Sequence, residues 1–445
     1  MTTIFSLPDR TALVRRQAAI LLATLAVAGC EDQGGAPAVA VERHVIGDTV
    51  VVRTLTGSVW GDESELVPEV RIGQFDGEDH YIFGWVRALA VAGDGSIFVM
   101  DTQVPALRKY APDGTYMATF GRGGSGPGEY RQPDGGLAVL ADGRVVVRDP
   151  GNARLQVYAA NGEPLGTWPI RGGFNTSNPL VVDTAGRVRT QLLLDPGAPV
   201  TEWRMGMVAY HGTTGKPLDT VPAPVWDFEP PRLVAQRRSQ NGTSTSVNSV
   251  PFSPAPSWAF SPLGHMVGGL SARYAIDQYL PDGRVLRIER AHEPVPVAAG
   301  EKADREEQTR WNMRQHQPDW RWNGPPIPGV KPPFQRIHLG LDGRIWVQLH
   351  QPAERIPDEE IDQPRDPDAR PPTRWREPVA FDVFEPDGTY LGLVRAPQGF
   401  TATFPTPVFH GDRVWAVVRD ELEVPYVVRF RVAGAGARRR EPARQ

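Results

Sequence analysis

The chain has 445 residues, a formal net charge of −4, 46 glycines and 44 prolines. The negative balance argues against a nucleic-acid partner, because neutralising phosphates requires a basic surface. Long helices do not tolerate so much glycine and proline, so we expect an all-β chain of short strands joined by turns. Cys30 is the only cysteine, which excludes an intramolecular disulfide and a cysteine-rich metal site. We predict no metal or other cofactor.

Residues 1–29 have the pattern of a bacterial export signal. Arginines precede an apolar run, Ala18 to Gly29, that is shorter than the roughly 20 residues needed to span a bilayer. The run ends in Val-Ala-Gly-Cys30 and resembles the lipobox, in which the cysteine receives diacylglycerol. The resemblance implies a lipid anchor at Cys30 in the inner or outer membrane, with the chain in the periplasm or at the cell surface. Residues 30–43 would then form a flexible tether, and the alternative is that Cys30 is a buried structural thiol.

Two long stretches repeat. LAVAGDGSIFVMD (residues 89–101) matches LAVLADGRVVVRD (137–149), and LRKYAPDGTYMATF (107–120) matches LQVYAANGEPLGTW (155–168), both at an offset of 48 residues. Each unit is typical of four alternating strands, with Asp-Gly or Asn-Gly turns whose glycine supplies a positive φ. Weaker copies occupy residues 181–191, 258–269, 337–348 and 408–418. The sequence therefore predicts six four-stranded units.

Six such units predict a six-bladed β-propeller over residues 44–432. The pattern DGxIxVxD followed by LxxYxxDG resembles the NHL-repeat propellers. The first two units and the joint between them resemble exported bacterial propellers of the TolB-like class. These resemblances imply an architecture and no defined activity.

The last unit supplies three strands before residues 433–445, which we predict to be a disordered tail. The segment ELVPEVRIG, Glu65 to Gly73, is the candidate fourth strand, pairing with Tyr426 to Val432 to close the ring. The earlier segment His44 to Leu55 is predicted to form a hairpin outside the ring.

The joint GRGGSGPGEY, residues 121–130, contains the GxGxxG spacing of a dinucleotide-binding loop. That loop requires a helix immediately after the glycines, because the phosphate rests on the amides of its N-terminus. Pro127 follows here instead, so we interpret the segment as a crossover between units. Binding of an anion by the glycine-rich backbone beside Arg122 remains an open alternative.

Long insertions cover residues 226–256, 291–333 and 351–378, and we expect all three on the face opposite the Asp-Gly turns. Loops on a rigid scaffold often carry binding residues, so this is the predicted functional face, for a protein, carbohydrate or small-molecule ligand. A surface helix is predicted over 301–317. Trp320 and Trp322 follow it, and they either form an aromatic wall for a ligand or pack the insertion onto the disc.

Residues that enter the innermost strands should ring the mouth of the central channel on the same face. Arg87, Arg336 and His338 are candidates for holding an anion there, with structural ion pairs as the alternative. Asp134 and Asn178 resemble metal ligands of gluconolactonase-like six-bladed propellers, although Arg87 stands where those proteins have a glutamate.

The sequence favours a membrane-tethered module that binds a ligand or a protein. A metal-dependent hydrolase or lyase of the gluconolactonase type is the alternative.

Overall fold

A computed structural model describes residues 39–434, apart from 62, 171–173, 200–201, 240–241, 362–363, 365 and 367–368. The segment assigned to the export signal, Cys30 and residues from 435 onward lie outside the described residues. Within the described part, no helix is both long enough and apolar enough to cross a membrane.

The first strands are a hairpin, β1 (Ala40–Ile46) and β2 (Thr49–Thr56), followed by β3 (Glu63–Ile72). The hairpin confirms the prediction for residues 44–55. Strand β1 begins inside the segment assigned to the tether, because Ala40 already pairs with Thr56.

The strongest sequence repeat forms two four-stranded antiparallel sheets, A and B. Sheet A contains β4 (Val86–Val91), β5 (Ile97–Asp101), β6 (Ala106–Tyr110) and β7 (Tyr116–Phe120). The joint between sheets A and B contains the short parallel pair β8 (Arg122–Gly123) and β9 (Glu129–Tyr130). Sheet B contains β10 (Leu137–Val139), β11 (Val145–Asp149), β12 (Arg154–Tyr158) and β13 (Pro164–Pro169).

Sheets C and D follow, separated by a hairpin in the first insertion. Sheet C contains β14 (Val181–Val182), β15 (Val188–Leu193), β16 (Met205–Tyr210) and β17 (Pro217–Pro222). The hairpin is β18 (Arg232–Ser239) and β19 (Gly242–Ser249). Sheet D contains β20 (Pro256–Phe260), β21 (Met266–Leu270), β22 (Ala275–Tyr279) and β23 (Val285–Arg290). Strand β2 pairs in parallel with β23, so the N-terminal hairpin extends the outer edge of sheet D.

The second insertion contains β24 (Val295–Pro296), helix α1 (Ala299–Arg314) and β25 (Val330–Lys331). Helix α1 confirms the predicted surface helix but ends at Arg314, before the predicted end at Gln317. Pro318 lies in the following turn, in which the Trp320 amide donates to the Gln317 carbonyl. The remaining strands are β26 (Phe334–Leu339), β27 (Ile345–Leu349), β28 (Glu354–Arg355), β29 (Trp375–Arg376), β30 (Ala380–Phe384), β31 (Tyr390–Arg395), β32 (Val408–His410), β33 (Arg413–Arg419) and β34 (Pro425–Val432). Sheet E consists of β26, β27, β30 and β31, and sheet F of β32, β33, β34 and β3.

Strand β3 completes sheet F, as predicted from its alternating pattern. It pairs antiparallel with β34 from Leu66 opposite Val432 to Ile72 opposite Val427, and its first residues also pair in parallel with β31. Leu66 and Ile72 are buried whereas Val67 is 38% exposed, the alternation expected of a strand with one face on the core.

Short turns connect the strands as the Asp-Gly motifs predict. At Asp94-Gly95 the carboxylate Oδ1 accepts a hydrogen bond from the Ser96 amide at 2.9 Å, and Gly95 has φ of +85°. This left-handed conformation favours glycine, and the aspartate side chain stabilises the turn that leads back into the sheet.

The first strands of successive sheets contact one another: β4 contacts β10, β10 contacts β14, β20 contacts β26, and β32 contacts β4. Sheets C and D meet where the Thr184 amide donates to the Pro262 carbonyl at 2.9 Å. Sheets E and F meet where Trp346 stacks on Phe409, with ring centroids 4.6 Å apart. The sheets form a closed cycle with apolar clusters between neighbours, which is the arrangement of a β-propeller.

Candidate functional site

The described residues of the three insertions contact one another, and those within 226–256, 291–333 and 351–378 are together called the cap here. The indole N–H of Trp320 donates to the Val234 carbonyl at 2.8 Å and so joins the second insertion to the first. Arg374 Nη1 lies 2.8 Å from Glu307 Oε2 and joins the third insertion to helix α1. The prediction that the long insertions share one face agrees with these contacts.

Trp320 belongs to the core of the cap rather than to its surface. It is 1% exposed and packs in an apolar cluster that also contains Leu233, Val250, Met313 and Ile327. Its side chain is therefore unavailable to a ligand, and of the two interpretations of this tryptophan the structure supports packing. Burying so large a ring gives the insertion a core of its own.

Trp322 is partly exposed beside that core. Its ring centroid lies 6.2 Å from that of Trp320, and its indole N–H donates to the Pro325 carbonyl at 2.8 Å. The Arg310 guanidinium lies 5.9 Å from the ring centroid. Trp322 therefore keeps some surface that a ligand could contact.

Arg87 lies at the start of β4, where its guanidinium covers the Phe404 ring at 4.1 Å from the centroid. Phe404 belongs to the segment before β32, and in the same segment the Thr406 hydroxyl donates to the Ser177 carbonyl at 2.9 Å. The segment that precedes β32 of sheet F is therefore hydrogen-bonded to the segment that precedes β14 of sheet C, and it lies beside Arg87. Burial lowers the pKa of Arg87, and the charge of Asp134 opposes that shift.

Asp134 is fully buried, and both of its carboxylate oxygens have partners within the protein. Its carboxylate pairs with Arg148 and accepts hydrogen bonds from the amides of Gly136 and Thr176, each at 3.0 Å. Burial raises the pKa of Asp134 against the opposing effects of Arg148 and the two amides. Asp134 thus joins sheet B to the entry of sheet C.

Asn178 is also held by protein groups. Its side-chain amide donates to Gln191 Oε1 at 3.0 Å, and its backbone amide donates to Thr176 Oγ1 at 3.0 Å. In residues 39–434 as described above, no group of three or more His, Cys, Asp and Glu side chains is placed to hold a metal ion.

His338 and Arg336 lie on the first strand of sheet E but differ in environment. His338 is 4% exposed and lies between Phe381 and Phe409, with ring centroids 5.9 and 5.6 Å away. Burial, helped by the charge of Arg336, lowers the pKa of His338 to about 3. The ring is therefore neutral at neutral pH, and its Nε2 lies 3.4 Å from Gln348 Oε1, so this environment disfavours His338 as a cation that holds an anion.

Arg336 is partly buried, and its guanidinium makes no hydrogen bond or ion pair with any residue of the described part. Burial lowers the pKa of Arg336. The neighbouring Ser257 hydroxyl accepts a hydrogen bond from the Ile337 amide at 2.9 Å, which positions the entry of β26 against sheet D. A desolvated guanidinium without a countercharge can accept an anion with little competition from the protein.

In the glycine-rich joint, the carboxylate of Glu129 is bound by the backbone and by Arg122. Glu129 Oε2 accepts a hydrogen bond from the Gly126 amide at 2.8 Å, and Glu129 Oε1 lies 3.0 Å from Arg122 Nε. These contacts lower the pKa of Glu129, the Gly126 amide most strongly. The backbone that the sequence suggested for an external anion therefore holds the Glu129 carboxylate, and the exposed Arg122 side chain is paired with it.

No family model and no curated protein matches the chain. Among solved structures it is similar to a member of the DUF4221 family from Bacteroides vulgatus, with 10% identity and a TM-score of 0.45 over 83% of this chain and 98% of that one. A gluconolactonase from Xanthomonas campestris shows 13% identity and a TM-score of 0.38 over 82% and 97%. A virginiamycin B lyase from Staphylococcus aureus shows 9% identity and a TM-score of 0.37 over 82% and 99%. Likeness this distant assigns no function.

Proposed function

We propose that the chain is an exported, lipid-anchored six-bladed β-propeller that binds an anionic ligand at the channel mouth on the face bearing the cap. Sheets A to F support the blade count, since each contributes four strands once β3 is assigned to sheet F. The lipobox-like sequence before Cys30 supports the anchor and export. The anchor would hold a binding module at a bacterial membrane.

The guanidinium of Arg336 carries the anion-binding part of this proposal. The more deeply buried Arg148 and Arg189 have carboxylate partners in Asp134, Asp183 and Asp219. Arg336 has none among the described residues. A desolvated charge without a partner is unfavourable, and binding of an anion would relieve that cost.

Arg87 supports the same site from a second strand entry. Arg87 is also desolvated. Its guanidinium packs on the Phe404 ring and feels the charge of Asp134, but it forms no direct ion pair with that residue. Arg87 and Arg336 lie in the first halves of β4 and β26, the first strands of sheets A and E, and first strands surround the axis of a propeller. The two cations therefore favour an anion with several oxygen atoms.

The metal-dependent hydrolase or lyase has less support. It relies on Asp134 and Asn178 as ligands, yet the carboxylate of Asp134 is saturated by Arg148 and two amides, and Asn178 is bonded to Gln191. Recruiting either residue to a metal would break these contacts.

The test is thermal unfolding of the full chain in inorganic phosphate against chloride at equal ionic strength. Phosphate at a hundred times its Kd should stabilise the fold by about 2.7 kcal/mol, which raises Tm by about 3 °C for a domain of about 400 residues. Arg336→Gln should lose most of this shift. Arg122→Gln is the control, because Arg122 is exposed and already paired. Equal phosphate shifts in both variants would reject the site.

A further inference from the structure

A cavity that does not include the channel-mouth residues Arg87 and Arg336 lies between sheet D and the cap. Its volume is about 470 Å³, within the range of small-molecule sites. One side is formed by the β21–β22 turn and the end of β23, and the other by Phe252 and the proline-rich segment that leads into β26. Neither Arg87 nor Arg336 lines it.

The apolar wall of this cavity is built largely from ring side chains. Phe252, Pro254, Pro332 and Pro333 line it together with the buried Tyr274. Proline rings have few conformations to lose, so an apolar ligand packed against them costs little side-chain entropy. Phe252 is partly exposed, and Lys331 Nζ lies 5.0 Å from its ring centroid.

The charged residues lining the cavity are all basic: Arg273, Arg290 and Lys331. Arg290 Nη1 lies 2.8 Å from Asp382, and Lys331 Nζ lies 2.7 Å from Glu301 and 3.2 Å from Glu377. These three acids lie outside the lining and are the ion-pair partners of the two cations.

Arg273 is exposed, and its guanidinium has no hydrogen bond or ion pair within the part of the chain that the structure describes. Of the three cations in the lining, Arg273 alone has no acid partner among the described residues, so its guanidinium is the one that can pair with a single anionic group of a ligand.

His292 lines the same cavity and has a polar atom without a partner. Its Nε2 is buried without a hydrogen-bond partner, and its ring centroid lies 6.1 Å from that of Tyr274. Burial lowers the pKa of His292, and the charges of Arg290 and His350 add to this effect while Asp382 and Glu293 oppose it. A neutral imidazole with its proton on Nε2 can donate to a carboxylate oxygen. A buried polar atom without a hydrogen-bond partner is unfavourable, and a ligand oxygen that reached Nε2 through a shift of the ring would remove that cost.

We propose that this cavity binds a small monocarboxylate with a flat apolar body. The carboxylate is held by Arg273 and by Nε2 of His292, and the apolar body packs on Phe252 and the prolines. One free guanidinium favours a single negative charge, and the phenylalanine and proline rings of the lining favour an aromatic or other planar ligand. This site is independent of the anion proposed for Arg336.

The test is titration calorimetry of the full chain with 2-naphthoate and with its neutral isostere 2-naphthamide. We expect the carboxylate to bind at least 10-fold more tightly than the amide. Arg273→Gln should remove most of this preference, and His292→Leu should weaken naphthoate several-fold more than naphthamide. Circular dichroism checks that both variants remain folded.

Two control variants separate this cavity from other cationic surfaces. Arg122→Gln and Arg336→Gln should both retain the preference for naphthoate, since neither residue lines the cavity. Equal affinities for the two probes in the unmodified chain would overturn the proposal, as would the absence of binding by either probe. If a control variant lost the preference for naphthoate while Arg273→Gln kept it, the carboxylate would bind elsewhere. That result would also overturn the proposal.

Discussion

Strand β3 brings a residue from near the N-terminus into the core between the last sheet and the first. Ile72 is 2% exposed and packs in a cluster with Val86, Ile97 and Val427, which come from sheets A and F. Val67 on the same strand is 38% exposed and points away from that core. Ile72→Ala therefore removes packing at the closure, whereas Val67→Ala removes a similar side chain from the opposite face.

The size of the effect follows from burial. Replacing a buried isoleucine by alanine costs about 2–5 kcal/mol, because the transfer free energy is lost and a cavity remains. A surface change such as Val67→Ala costs less than about 0.5 kcal/mol. The unfolding entropy of a domain of about 400 residues is about 0.8 kcal/mol/K, so Ile72→Ala should lower Tm by about 2–6 °C and Val67→Ala by less than about 1 °C.

Differential scanning calorimetry of the two variants and the unmodified chain measures both shifts under the same conditions. Deleting residues 63–72 extends the comparison, because it leaves β34 as an unpaired edge and should cause aggregation. The reasoning is refuted if Ile72→Ala lowers Tm no more than Val67→Ala does, since β3 would then not contribute to the core that closes the ring.

Three further predictions concern the anchor, a buried histidine and the cap. Cys30→Ser should leave the precursor unprocessed or released from membranes, and labelled palmitate on that variant would contradict the lipid anchor. His338 has a folded-state pKa of about 3, below its unfolded value, so its neutral form stabilises the fold above about pH 6.5 and this contribution is lost as the pH falls. From pH 7 to pH 5, this histidine should lower the free energy of unfolding of the unmodified chain by about 2 kcal/mol. Urea unfolding of His338→Leu should not show this decrease. Trp320→Ala should cost about 3–5 kcal/mol and expose the cap to proteolysis, whereas Trp322→Ala should leave the cap resistant; equal cleavage of both would contradict the assignment of Trp320 to the core.

Local patterns in the sequence predicted much of the fold, because turns and strands depend on neighbouring residues. Asp94-Gly95 and its copies predicted tight turns, since a glycine at positive φ and an aspartate that accepts a nearby amide act over a few residues. The alternation in β3 predicted a strand with one buried face. The missing fourth strand of the last unit then indicated its partner, and the pairing of Leu66 with Val432 confirmed it.

The candidate site was predicted less well, because the state of a side chain depends on partners far away in the chain. Trp320 and Trp322 are two residues apart in similar sequence surroundings, yet Val234 and the apolar residues around it bury only Trp320. The glycine-rich joint looked open to an anion, but the Glu129 side chain occupies it.

The sequence by itself determined the strand pattern, the turns, the closing strand and the location of the insertions, because these follow from periodicity and local backbone preference. The tertiary structure alone decided which charges are compensated. Arg148 and Arg336 have the same side chain, but Asp134 pairs with Arg148 while Arg336 has no acid beside it among the described residues. The cavity that Arg273 and His292 line was equally invisible in the sequence, because its walls come from two insertions and a sheet that meet only when the chain folds.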